Sequence, residues 1–133
     1  MRTSKKNPPS LQLVIPMAAE WISSNAREHW APRNRKTRAW RSAAMLVARS
    51  SGASYDVPVD LEVVVSKRRE SSRWDPHNLW PTAKAVIDGL VDAALLEDDD
   101  TKHIRSTSIR AGAADRLRPG MTITIRPVQE DQA

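Results

Sequence analysis

The chain has 133 residues, with 21 Lys/Arg against 16 Asp/Glu and no cysteine. That length suits one compact domain, and the missing cysteines exclude a disulfide framework, a zinc–thiolate site and a thiol nucleophile. A formal net charge of +5 makes a polyanion the default partner, and no apolar run reaches the ~18 residues that a membrane-spanning helix needs.

Residues 1–10 (MRTSKKNPPS) are polar and basic with no apolar stretch, so they read as a disordered basic tail rather than a signal peptide, and the protein as cytoplasmic. The domain is expected over residues 11–128, with a second disordered tail over 129–133. Leu11–Ile15 reads as a first strand closed by Pro16. Ser23–Arg35 is polar and contains Pro32, which suggests a loop or an irregular helix start. Thr37–Ser50 predicts a helix, with Ala39, Trp40, Ala43, Ala44, Leu46 and Val47 on an apolar face and Arg38, Arg41 and Arg49 on a basic one. Ser51–Ser54 ends it. Val57–Val65 alternates apolar residues at period two, as a half-buried strand does, and Ser66–Trp74 is a basic loop. Pro81–Leu95 predicts the second helix, with Pro81 in its first turn and Val86, Ile87, Leu90 and Ala94 along one side. An acidic turn, Glu97–Lys102, precedes two strands, His103–Ala111 and Met121–Pro127, joined through Pro119-Gly120. The order β-α-β-α-β-β specifies an α+β fold: one small domain, a mixed or antiparallel sheet packed with two main helices.

Charge is distributed unevenly along this order. Residues 1–74 carry 14 Lys/Arg against 6 Asp/Glu, and residues 101–133 carry 6 against 3. Between them, Lys84 is the lone cation against Asp75, Asp88, Asp92, Glu97, Asp98, Asp99 and Asp100. An acidic island repels the phosphates that the basic remainder attracts, so a simple DNA-binding protein has little use for it. A metal-dependent nuclease uses both. Mg²⁺ takes oxygen ligands, commonly one or two carboxylates completed by water and substrate phosphate.

Two acidic segments qualify: Asp75 with His77 and Asn78, and Glu97–Asp100 past the second helix. A helix of about 15 residues is ~22 Å long, so its own ends cannot share an ion. For the segments to meet, either the chain bends back or the acidic turn begins a strand beside the Asp75 strand, as it does if His103–Ala111 pairs with Val57–Val65. Each also has an ordinary structural reading. An acidic turn is commonly solvated surface, although here it opposes the helix dipole and repels itself, which a cation would relieve. Asn78 suits a helix cap, and Lys84 with Asp88 suits a surface i,i+4 pair.

The run from Asp75 to Leu90 (DPHNLWPTAKAVIDGL), followed by Leu95–Asp100 (LLEDDD), resembles the RusA family of Holliday junction resolvases. The family pattern is D-x-D-N, then K-x-x-x-D-x-L on a helix, then a D-D pair. Asp75, Asn78, Lys84, Asp88, Leu90 and Asp98-Asp99 match it. The segments Ser24–Trp30 and Thr37–Arg41 are also similar to the N-terminal part of many members. The resemblance implies a homodimeric, bacterial or phage-encoded enzyme of DNA recombination and repair that nicks four-way junctions in pairs. It implies Mg²⁺ held by Asp75 and Asp99 with Asp98 beside them, and Lys84 as the catalytic lysine. Two departures stand out: His77 occupies the place of the second Asp, and Trp80-Pro81-Thr82 has the character of an insertion. As a metal ligand His77 can serve Mn²⁺ but suits Mg²⁺ poorly, so the site either leans on Asp98, Asp88 or Asp100 for its third carboxylate or is weaker. Two alternatives stay open: a junction-binding protein with a degenerate metal site, and a nuclease on other branched or single-stranded DNA.

For the DNA itself, Lys67, Arg68, Arg69 and Arg73 flank Asp75, while Arg33, Arg35, Lys36 and Arg38 interleave with Trp30 and Trp40. Cations near aromatics suit phosphate contact with base stacking. Trp40, on the apolar helix face, reads as core.

Overall fold

A computed structural model of the protein describes residues 5–25, 27, 29–70 and 73–128. Its elements are β1 (Lys5–Lys6), β2 (Leu11–Pro16), α1 (Trp30–Ser51), β3 (Ala53–Ser54), β4 (Val59–Ser66), a 3₁₀ turn (Pro76–Leu79), α2 (Trp80–Asp92), β5 (Ile104–Ala111) and β6 (Gly120–Pro127). The α+β order is therefore the one the sequence specifies. The expected tail at 129–133 lies outside the described residues.

The main sheet has the order β2-β6-β4-β5. It is mixed: β4 and β5 run parallel, and β6 is antiparallel to both β2 and β4. Period-two alternation sends Leu13, Ile15, Val59, Leu61, Val63, Val65, Met121, Ile123 and Ile125 into a buried core with residues of both helices. The opposite sheet face is polar. There Glu62 receives Arg110, and Asp60 receives Arg105 and Ser106.

The first helix starts seven residues earlier than its periodicity indicates. Pro32 sits in its first turn, where a missing N–H removes nothing because those donors have no intrahelical partner. Its buried stripe is Trp40, Ala44 and Ala48. Leu46, expected on the apolar face, is 59 % exposed because it lies two residues, or about 200°, round the helix from Ala44. Trp40 is core: its ring lies 5.0 Å from that of Trp21, and its Nε1 donates to the Glu20 carbonyl.

On α2, Ala83, Val86, Ile87 and Leu90 are buried at the spacing of one helical face. Gly89 allows α1 to approach closely, since a Cβ there would lie 2.8 Å from that of Ala44. Thr82 is also fully buried; its hydroxyl accepts from the Ile22 N–H at 2.8 Å and donates to the Ile22 carbonyl at 2.9 Å.

Three further expectations need correction. The N-terminal tail is structured in part: Lys5–Lys6 pairs parallel with Ala53–Ser54, and Lys6 and Asn7 both bind Asp56. The second helix ends at Asp92, and Ala94 is exposed with φ 59° rather than lining its apolar side. The Ala94 N–H bonds the Val91 carbonyl and the Leu95 N–H the Leu90 carbonyl, a left-handed helix stop. Asn78 does not cap that helix. Its backbone N–H bonds the Asp75 carbonyl and its carbonyl accepts from Ser24, inside the 3₁₀ turn that Asp75 caps.

Candidate active site

The helix stop at Ala94 shapes the acidic segment. It drives Leu95 and Leu96 back into the core, which leaves Glu97–Asp100 outside on the turn leading to β5. Because β5 lies parallel beside β4, that turn is carried to the flank of α2. A cavity of about 320 Å³ opens there, lined by Trp80, Lys84 and Ile87 of α2, Asp99, and Ile104–Thr107 of β5. Trp80 is partly exposed at its rim.

Lys84 is the hub. Its Nζ donates to Asp88 Oδ1 at 2.7 Å and, by a very short contact, to Asp99 Oδ2. Partial burial disfavours the ammonium, but its hydrogen bonds to Asp88 and Asp99 outweigh it and hold the Lys84 pKa above the ordinary lysine value. The same hydrogen bond holds the Asp99 carboxyl below the usual carboxylate value. Asp98 turns onto its own backbone, its Oδ1 accepting the Asp99 N–H at 2.7 Å. The i,i+4 pair with Asp88 is thus present, and it is one half of a bridge across 15 residues of chain.

Asp75 heads the 3₁₀ turn, where its Oδ1 accepts the His77 backbone N–H at 2.9 Å and lies 3.0 Å from His77 Nδ1. The backbone bond is the larger reason its carboxyl sits below the usual value. The 3₁₀ turn packs beside β5. Asp75, His77 and Asp98 do not line the Lys84 cavity, however, and among the described residues no group of three or more His, Asp or Glu is arranged to hold a metal ion.

The donor chemistry still suits a hard cation. Asp75, Asp98 and Asp99 offer carboxylate oxygens at exposed positions, and Mg²⁺ needs only one or two, the rest being water and phosphate. The repulsion within Glu97–Asp100 is partly relieved by the chain itself. Lys84 takes Asp99, and His103 takes Asp100 at 2.6 Å with Glu97 at 3.6 Å. Asp100 is what chiefly raises the His103 pKa.

The proposed DNA contacts are spread over two regions. Arg35 and Arg38 are exposed on α1, Lys36 is half-buried there, and Arg33 reaches back to the Ser23 carbonyl at 3.3 Å. Trp30, Arg33, Asn34 and Thr37 line a shallow depression with Trp30 78 % exposed. In the β4 loop, Arg68, Arg69 and Arg73 are exposed, whereas Lys67 Nζ sits 4.1 Å over the Trp74 ring. Sequence reasoning missed the β5 wall of the cavity, Arg105, Ser106 and Thr107. Only the parallel pairing with β4 brings these residues to Lys84, and no local pattern encodes it.

No helix among the described residues is long and apolar enough to cross a membrane. Compared with known proteins, the chain matches no family model and, at a significant level, no curated protein.

Proposed function

We propose that the protein is a Mg²⁺-dependent endonuclease that resolves four-way DNA junctions by paired nicking, working as a homodimer. The observation that carries this reading is the Lys84 ammonium held between Asp88 and Asp99 at a cavity wall, in a basic protein with one acidic segment. The spacing of Asp75, Asn78, Lys84, Asp88 and Asp98-Asp99, which resembles the RusA pattern, supports it.

Asp98, Asp99 and Asp75 are the residues that would hold the ion. Bound there, Mg²⁺ would offset charge on the scissile phosphate and favour ionisation of an attacking water. Lys84 has the charge and reach to meet a phosphate oxygen, and its present carboxylate partners keep it protonated and aimed into the cavity. Trp80 gives that cavity a partly exposed aromatic rim against which a base or sugar can stack.

A second reading, junction binding without cleavage, is favoured by one observation. Asp99 and Asp75 are both already engaged by protein groups, Lys84 and His77. Incubation with a synthetic junction, a duplex and a single strand, each in Mg²⁺, Mn²⁺ or EDTA, separates the two. Metal-dependent paired nicks confined to the junction support the nuclease. Shifted bands without product under every metal support the binder, and cutting of single strands alone redirects the substrate.

A further inference from the structure

The loops after β4 and β5 lie at the same end of the sheet because those strands are parallel, and they are joined backbone to backbone. The Asp115 N–H bonds the Lys67 carbonyl at 2.8 Å, the Gly112 N–H bonds the Val65 carbonyl at 2.8 Å, and the Ala114 N–H reaches Glu70 Oε1 at 3.3 Å. A fourth bond, from the Met17 N–H to the Pro119 carbonyl, ties the return of the second loop to the end of β2.

This double loop sorts its charges. Its two acids face inward onto backbone donors: Glu70 onto Ala114, and Asp115 Oδ1 onto the N–H groups of Leu117 at 3.1 Å and Arg118 at 2.9 Å. The arginines face out. Arg68, Arg116 and Arg118 are exposed, and none of them makes an ion pair among the described residues. Between Arg116 and Arg118, Leu117 is 91 % exposed, the most exposed large apolar side chain described. It shares a groove of about 410 Å³ with Arg68, Arg118, Val14, Pro16, Met17 and Pro119.

We propose that this double loop is a nucleic-acid grip, in which Arg68, Arg116 and Arg118 take backbone phosphates while Leu117 presses against an exposed or opened base step. Three guanidiniums without an ion pair among the described residues, set around one apolar side chain, match a polymer that alternates anionic backbone with apolar base faces. An anionic membrane offers the same charge but fits less well. A single leucine buries only a few CH₂ groups, and even a whole myristoyl chain gives only marginal binding. The proposal shares its choice of partner with the function proposed above, but it does not depend on cleavage.

The test is binding of a fluorescent four-way junction in EDTA, across a NaCl titration. If Arg116 and Arg118 each release about one counterion equivalent, Arg116→Ala/Arg118→Ala reduces the log–log salt slope by ~1.8, at ~0.9 per phosphate contact, with an unchanged circular dichroism spectrum. A 2-aminopurine at the junction centre should brighten on binding wild type and stay quenched with Leu117→Ser. An unchanged slope overturns the phosphate role, and equal brightening with Leu117→Ser overturns the base contact. Vesicles rich in phosphatidylserine form the third arm: loss of vesicle binding with junction binding intact in the double variant assigns the surface to lipid and overturns the proposal. If wild type binds junctions but never cuts them in Mg²⁺, the nuclease reading fails and the grip stands.

Discussion

The molecule's two polar regions handle charge in opposite ways. Along α2 and the turn that leads to β5, carboxylates are matched by cations of the same chain: Lys84 with Asp88 and Asp99, His103 with Asp100, and Arg41 of α1 with Asp92 at 2.8 Å through Nη2. At the double loop Arg68, Arg116 and Arg118 have no ion pair among the described residues, and the acids are spent on backbone N–H groups. Internal pairing fixes side chains in place, and that is useful where geometry decides chemistry. Unpaired arginines leave favourable contacts to be made only when a polyanion arrives. The first region is built as a positioned site and the second as a contact surface.

Substitutions can break this comparison at several points. The largest effect is expected at Lys84. Lys84→Ala should lower the junction-nicking rate about 100-fold or more, as loss of one positioned electrostatic partner commonly does, while junction affinity in EDTA changes little. Arg116→Ala/Arg118→Ala should do the reverse, weakening affinity and leaving the rate at saturating DNA nearly intact. Equal losses of both quantities in both variants would erase the distinction.

The next largest effect is on the scaffold. Gly89→Ala puts a Cβ against the α1 backbone and Ala44. It should cost ~1–3 kcal/mol by overpacking, read as a lower denaturation midpoint. Ala94→Gly should act oppositely and by less. Ala94 holds φ 59° at the helix stop, a conformation that costs a non-glycine residue about 1 kcal/mol, so relief of that strain should raise the midpoint. An unchanged or lower midpoint there would mean that flexibility gained by the unfolded chain outweighs the relief.

The smallest effect is pH-dependent. The folded His103 pKa lies above its unfolded value because Asp100 and Glu97 favour the imidazolium. The tether is therefore fully present below the ordinary histidine value of about 6.5 and is lost as pH rises through the folded pKa. An NMR titration of the His103 ring should show its pKa fall in Asp100→Asn.

What the sequence discloses follows from the range of the forces involved. Period-two and helical patterns gave the strand and helix order, because burial of Val59, Leu61, Val63 and Val65, or of Ala83, Val86, Ile87 and Leu90, is written locally. The pairing of the β4 and β5 segments enters from the sequence only as a condition for the acidic turn to reach Asp75, because no local pattern specifies which strands become neighbours. Helix ends were harder to read. Pro32 resembles a breaker until its first-turn position is known, and Ala94 gives no glycine signal at a stop that needs a positive φ. Of the candidate site, the acids and Lys84 stood out by charge alone. The Lys84–Asp99 bridge and the Thr82–Ile22 clasp did not, because each joins residues 15 and 60 positions apart. The double loop escaped notice for the same reason: its bonds run from Lys67 and Glu70 to Asp115 and Ala114.

The proposed nuclease requires that Asp75 and the Asp98-Asp99 pair serve one divalent ion on bound DNA. Substoichiometric Mn²⁺ added to isotopically labelled protein with bound, uncleaved junction tests this directly, through paramagnetic broadening of backbone amides. Simultaneous loss of signals around Asp75 and around Asp98-Asp99, abolished in both segments by Asp99→Asn, is the expected result. Broadening confined to one segment, or insensitive to that substitution, would contradict it.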